Sequence, residues 1–271
     1  MNITTGDNFI PEVWSKELQL ATESNLVMGR LVKRFDAEIK AFGDVLHVPQ
    51  ISNLAATDKV TETAVTFLAP TESKIDITIN KHKHIAFLIE RNLDAKSRYE
   101  LAEEYKKKMA FGLAKQVDTD LLGLQSSLSQ SEGTDNVALG DSNVLRAIQY
   151  LDDADAPEDD RHFVMSPATK MDLLAIDRYV NSDYQSDKPL TKGAFGERYG
   201  LMFHSSTNVP AGTAGRINLI FQREALALAM QRDITMYSDF IIEHISDAYV
   251  GDCIYGVAEY RDAFAVKMLG K

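Results

Sequence analysis

The sequence is short of cysteine, of tryptophan and of basic charge, and each shortage removes a class of explanation. One cysteine, Cys253, cannot build an internal disulfide framework or a cysteine zinc knuckle. It reads as a small buried apolar residue. Lysine and arginine number 29 against 40 aspartates and glutamates, a net charge of −11. That argues against a protein that clamps nucleic-acid phosphates with clustered basic charge. Long hydrophobic runs are missing too: Ile85–Ile89 and Ala225–Met230 fall far short of a membrane span. Met1–Asp7 carries no basic segment ahead of an apolar one, so no signal peptide is expected. What is present is 45% hydrophobic and 25% charged residues over 271 positions, the balance of a folded chain with a core. The expectation is a soluble, acidic protein of a reducing compartment, in one large domain or two modest ones.

Hydrophobic spacing divides the chain. Pro11 opens a helical pattern through Trp14, Leu18, Ala21 and Leu26, with Gly29 as its expected stop. So short a helix is marginal alone, so Trp14 packs either on its own core or on a neighbouring chain. Strand-like runs follow at Ala37–Lys40 and Val45–Pro49 around a turn at Ala41–Asp44, where Gly43 suits a positive φ. Ile51–Thr66 has no apolar face and reads as an exposed excursion. Alternation from Lys74 through Ile89 predicts one unusually long strand. A hairpin arm of this kind has too little apolar surface to stand alone in water, so it has to lie on another surface.

Apolar residues then recur four apart at Leu101, Tyr105, Met109, Leu113, Val117 and Leu121. The pattern predicts a helix from about Asp94 to about Ser126, roughly 45–50 Å long. Its stripe winds by about 200°, so different partners are expected to cover its two ends. Beyond a polar linker, Ser126–Asn136, the signals are mixed. They predict a helix capped at Asp141-Ser142, an acidic turn at Asp152–Asp160, and a strand at His162–Met165. A helix opened by Ser166-Pro167 and running through Ile176, a glycine-punctuated flexible loop, and strands at Leu201–Ser205 and Leu219–Phe221 come next. A helix is expected at Arg223–Met230, then strands over Thr235–Leu269.

Candidate chemistry is sparse. His82 and His84 share one strand face, a geometry that metals use, but Lys81 and Lys83 flank them and no third ligand completes a set. Gly193, Gly196 and Gly200 form neither a dinucleotide nor a phosphate loop. The acidic turn lacks the order of an EF-hand, and no nucleophile elbow accompanies His204 or Glu243-His244. No cofactor or metal is expected. Lys106-Lys107-Lys108 reads as a salt-bridged solvent face of the long helix, or as a contact with a neighbour's acidic turn.

Four motifs in order carry a resemblance. Phe9-Ile10-Pro11-Glu12-Val13-Trp14 resembles an F-x-P-E-x-W opening, and Gly43-Asp44-Val45-Leu46-His47-Val48-Pro49 a G-D-x-V-x-x-P turn. Val164-Met165-Ser166-Pro167 resembles V-x-S-P, and Tyr199–Pro210 is similar to Y-G-F-x-V-x-x-S-N-x-L-P. Over nearly its whole length the chain resembles the major capsid proteins of tailed bacteriophages, of the Hong Kong 97-type fold, especially a podovirus coat-protein-like branch.

The resemblance implies an α+β fold with an N-terminal arm (1–35), an extended two-stranded loop with flanking strands (36–92) and the spine helix of a peripheral domain (93–135). It further implies an axial α/β domain (136–230) and returning strands (231–271). The function implied is self-assembly as hexamers and pentamers into an icosahedral shell around double-stranded DNA, without sequence-specific binding, catalysis, cofactor or membrane. No scaffolding segment precedes the arm, which implies a separate scaffolding protein, with a portal protein and a possible decoration protein as further partners. Phe9, Pro11 and Trp14, Asp44, Lys59, Lys106 and Lys107 are the expected inter-subunit contacts. Covalent Lys–Asn cross-linking does not carry over, because neither Lys59 nor Asn53 falls in a matching motif. An encapsulin-type nanocompartment sharing this fold, or a soluble α/β hydrolytic enzyme, are the alternatives. An acidic wall that does not bind DNA suits a container from which a genome must leave.

Overall fold

The fold was read from a computed structural model that describes residues 26–39, 43–51, 54, 56–62, 64, 65, 67, 69, 72–90, 101–180 and 196–271. Among these residues, three sheets and one long helix carry the architecture. A four-stranded sheet has the order β1-β10-β11-β4, built from β1 (Lys33–Arg34), β4 (Lys81–Glu90), β10 (Leu226–Ile241) and β11 (Ser246–Glu259). A two-stranded ribbon pairs β2 (Val45–Ile51) with β3 (Glu72–Thr78). A six-stranded sheet has the order β5-β12-β9-β6-β8-β7. Its strands are β5 (Ser131–Gly133), β6 (Arg161–Met165), β7 (Glu197–Arg198), β8 (Leu201–Ser205), β9 (Arg216–Gln222) and β12 (Ala265–Gly270).

The spine helix, α3 (Leu101–Gly123), follows α1 (Met28–Leu31) and α2 (Asp36–Ile39) and ends in a 3₁₀ turn at Leu124–Ser126. Its 23 residues span about 35 Å. Met109, Leu113, Val117 and Leu121 are buried as the four-residue spacing predicts. Different partners do cover its ends. Near the start, Tyr105 meets Phe87 of β4, and Met109 lies over Gly251 of β11. Nearer the finish, Asp118 accepts hydrogen bonds from the residues that open α1. The expected start at Asp94 lies outside the described residues.

The six-stranded sheet is backed by α4 (Asp141–Asp153), α5 (Pro167–Leu174) and α6 (Asp177–Val180). Val144, Ala147 and Leu151 bury the inner stripe of α4. Helix α5 opens at Ser166-Pro167 as expected, with Pro167 in the first turn, and the Ser166 hydroxyl caps it by accepting the Thr169 N–H at 3.1 Å. The buried Asn218 side chain locks this corner. It accepts the Ser166 N–H at 2.7 Å and donates to Thr169 Oγ1 at 3.0 Å and to the Met268 carbonyl at 3.3 Å.

Several expectations change. The helix expected at Arg223–Met230 is a 3₁₀ turn, Arg223–Ala225, leading into β10. Leu226, Ala227, Leu228 and Ala229 are buried on both faces of a sheet between β1 and β11. A short all-apolar run has no periodicity to tell strand from helix. The run Ala37–Ile39, expected as strand, is helical. Asp36 sits in the first turn of α2, and its carboxylate also accepts the Met230 N–H at 2.9 Å. Gly29 does not stop a helix but lies within α1.

The single long strand expected from Lys74 to Ile89 is two strands in two different sheets, broken at Ile79-Asn80. The polar linker contains β5, which pairs in parallel with β12. Helix α4 is capped from Gly140, whose N–H donates to Asn143 Oδ1 at 3.1 Å, and not from Asp141-Ser142. Helix α5 ends at Leu174, short of Ile176. Part of the expected flexible glycine loop is a tight hairpin. Tyr199 (φ 52°) and Gly200 (φ 72°) turn β7 into β8, the two-residue, doubly positive geometry that suits the strand twist.

Candidate assembly surfaces

The two-stranded ribbon and the segment between its strands expose several large apolar side chains. Alternation places Leu46, Val48, Ile75 and Ile77 on one face of β2 and β3, with Leu46 opposite Ile77 and Val48 opposite Ile75. Among the described residues, the root of that face packs within the same subunit, with Leu46 and Val48 partly buried against the cluster. Ile77 is fully buried with Phe35, Ile39, Ala227 and Ala229. Beyond the root, Ile51, Leu54, Val60, Val65 and Phe67 are exposed, Phe67 by 92%. Lone exposed apolar residues are ordinary, but five within 17 positions of one projecting segment need a partner.

The root is built to aim the ribbon. Gly43 has φ +107°, as the turn expected there requires. Asp44 is exposed, and its carbonyl accepts the Ile79 N–H at 2.8 Å, closing the base of the loop. On the outer face His47 Nδ1 lies 2.5 Å from Asp76 Oδ1. The His47 hydrogen bond, with help from Lys74, holds the Asp76 carboxyl below its ordinary value. Lys59 lies in the excursion, exposed, with Nζ donating to the Val60 carbonyl at 2.6 Å.

The basic run lies where the spine helix meets the four-stranded sheet. Lys107 pairs with Glu104 one turn earlier at 2.8 Å, and the Lys106 ammonium sits 4.6 Å from the centre of the Tyr249 ring. Both contacts lie within one subunit. Phe9, Pro11 and Trp14 lie outside the described residues.

The family model described as phage capsid protein matches residues 42–250, which takes in the ribbon, the spine helix and most of both larger sheets. The chain belongs to the phage capsid protein family. As a capsid protein it is a building block of an icosahedral shell and a component of the virion, and its work is assembly, not catalysis. Its structure is similar to that of Mycobacterium phage Che8, with a TM-score of 0.83 at 22% identity over 98% of this chain and 99% of that one. The capsid structure of the cyanophage P-SCSP1u is similar at a TM-score of 0.80 and 16% identity, covering 98% and 94%. The mature capsid of bacteriophage PhiM1 follows at 0.75 and 13%, covering 97% and 92%. At such identities these likenesses show the Hong Kong 97-like fold. No curated protein is matched by sequence.

The remaining polar clusters of the capsid protein serve its architecture. His82 and His84 do share the outer face of β4, but the Asp252 carboxylate opposite is engaged by His82 at 3.1 Å and Arg232 at 3.6 Å. Among the described residues no group of three or more His, Cys, Asp or Glu side chains is placed to hold a metal ion. Asp120 takes the Tyr255 hydroxyl at 2.8 Å and Lys81 at 3.0 Å. Burial pushes its pKa up, yet these partners outweigh burial and hold it down. The acidic turn is organised from within. Arg161, only 4% exposed, donates to Asp152 at 2.7 Å and to the carbonyls of Ala156 at 2.7 Å and Pro157 at 2.8 Å.

Among the described residues, His204 is paired with His162 and not with a nucleophile. Its Nε2 lies 3.4 Å from Nδ1 of the buried His162. Burial and then His204 push the His162 imidazole down to about 4. Cys253 is buried, and burial raises its thiol pKa. Sequence reasoning missed Asp118, a buried carboxylate in mid-helix. Its local neighbours, Val117 and Thr119, give no signal of burial at that position.

Proposed function

We propose that this is the major capsid protein of a tailed phage, assembling as hexamers and pentamers into a shell around double-stranded DNA. The carrying observation is the projecting ribbon with Ile51, Leu54, Val60, Val65 and Phe67 exposed beyond a firmly anchored root. A monomer gains nothing from that surface, whereas a neighbouring subunit that covers it removes it from water. In this reading residues 1–35 are the arm, 36–92 the extended loop and 93–135 the spine of a peripheral domain. Residues 136–230 are the axial domain, and 231–271 return to both. Phe9, Pro11, Trp14, Asp44, Lys59, Lys106 and Lys107 make contacts between subunits.

A separate scaffolding protein, a portal protein and a possible decoration protein complete the partner set, and the motifs favour a podovirus coat-protein-like branch. The acidic net charge of −11 suits a wall that encloses DNA without gripping it. The test is electron microscopy of the full chain expressed in bacteria, with and without its phage's scaffolding protein. Closed shells or capsomers support the reading; subunits that remain monomeric in both cases refute it. Shells from an infection that hold a protein cargo in place of DNA would instead establish a nanocompartment.

A further inference from the structure

Asp118 is 2% exposed in the middle of the spine helix, and among the described residues no lysine or arginine is one of its hydrogen-bond partners. A buried charge is costly unless hydrogen bonds replace the lost water. Here the replacements come from sequence positions about ninety residues away on either side. Oδ1 accepts the N–H of Met28 at 2.6 Å and of Val27 at 3.2 Å, and the Gly29 N–H also contributes. Oδ2 accepts Asn208 Nδ2 at 3.3 Å. Asn208 is set in turn by its own N–H, which donates to Ser206 Oγ at 3.2 Å, and Val209 beside it is buried. One side chain thus ties together the spine helix, the first turn of α1 and the turn that follows β8 of the six-stranded sheet.

We infer that Asp118 is the positioning residue for the N-terminal arm, clamping onto both lobes at once the point where residues 1–25 join the rest of the chain. The chain is continuous, so whatever course those residues take begins at Leu26, next to the clamped amides. A first turn of α1 that swung away would leave the buried Asp118 carboxyl without these hydrogen bonds, so the carboxyl holds that junction in one place. Asn208 extends the clamp to the axial side, which gives the asparagine of the Tyr199–Pro210 motif a physical task. The inference rests on the shell reading for its consequence: the placement of the chain at Leu26 decides whether subunits close into shells of one size.

Two readouts on the full chain test it separately. Hydrogen exchange on the dissociated subunit reads the clamp, and electron microscopy of particles reads its consequence. Asp118→Ala is expected to lower protection of the Val27, Met28 and Gly29 amides by about tenfold or more, while β6, β9 and β11 keep theirs. Asn208→Ala should leave those amides protected but broaden particle size. The exchange variant Asp118→Asn with Asn208→Asp keeps one carboxylate and one amide in contact, and should recover particle size better than either single change. Unchanged exchange at 27–29 in Asp118→Ala overturns the clamp. Exchange that rises throughout the chain overturns it too, because Asp118 would then be a general core residue. Loosened amides with uniform, wild-type particles overturn the positioning role. Wild-type subunits that form no shells even with scaffolding protein overturn the shell reading, and the exchange result distinguishes that failure from loss of the clamp.

Discussion

Gly256 is where the four-stranded sheet lets the ribbon cross it. It pairs with Ala229 in β10, and beyond Tyr255, opposite Lys81, β4 no longer covers the edge of β11. The chain between β3 and β4 passes over this spot. A Cβ on Gly256 would lie 2.4 Å from the Thr78 carbonyl oxygen, 2.9 Å from its carbon and 3.1 Å from Ile79 Cα. All three are backbone atoms, and normal contact needs about 3.5 Å. Gly256→Ala therefore forces the Thr78–Ile79 elbow back by about 1 Å. That elbow also holds the Ile79 N–H on the Asp44 carbonyl and the buried Ile77, so both loosen together. Overpacking of this kind costs about 1–3 kcal/mol, a fall in Tm of roughly 2–12 °C for a chain of this size.

Two alanine substitutions calibrate the experiment. At Gly251 the nearest atom is Met109 Sδ at 3.0 Å, the end of a flexible side chain, so Gly251→Ala should cost less. At Gly123, within the helical backbone region with φ −63°, nothing lies within 4 Å. There alanine should stabilise by up to about 1 kcal/mol. Calorimetry ranks the three, and electron microscopy reports whether the displaced ribbon still joins subunits. A Gly256→Ala protein that melts with wild type and builds wild-type particles would refute the crossing argument.

Phe67→Ser should leave subunit stability within about 0.5 kcal/mol while lowering particle yield, read by calorimetry and gradient sedimentation; equal loss of both would show that Phe67 is covered within its own subunit. Arg161→Ala strips the carbonyls of Ala156 and Pro157 of their donor and should cost about 2–3 kcal/mol in urea unfolding. Arg161→Lys should recover only part, because an ammonium cannot fork across three acceptors. The His162 imidazole, depressed to about 4 by burial and His204, refuses a proton that the unfolded chain accepts near 6.5. Stability should therefore fall as pH drops from about 6.5 towards 4, by no more than about 3 kcal/mol, and less to the extent that solvent reaches His204. His162→Gln should flatten that slope in unfolding measured at pH 7 and pH 4.5; an unchanged slope would assign the acid sensitivity elsewhere.

The sequence by itself determined those elements whose signals are local. The spacing from Met109 to Leu121 marked the buried side of the spine, Ser166-Pro167 the start of α5, and alternation the faces of β3 and β4. Gly43 marked its turn, and four ordered motifs pointed to the capsid family. Tertiary structure decided whatever depended on distant partners. Leu226–Ala229 became strand because β1 and β11 flank it, and the alternation from Lys74 to Ile89 broke because its halves found different sheets. Asp118 and His162 were buried by residues far away in the chain. A periodic pattern records which side of an element avoids water, and that much is written within a dozen residues. Which neighbour covers that side, and whether a carboxylate there meets solvent or the amides of residues ninety positions away, depends on how the whole chain packs.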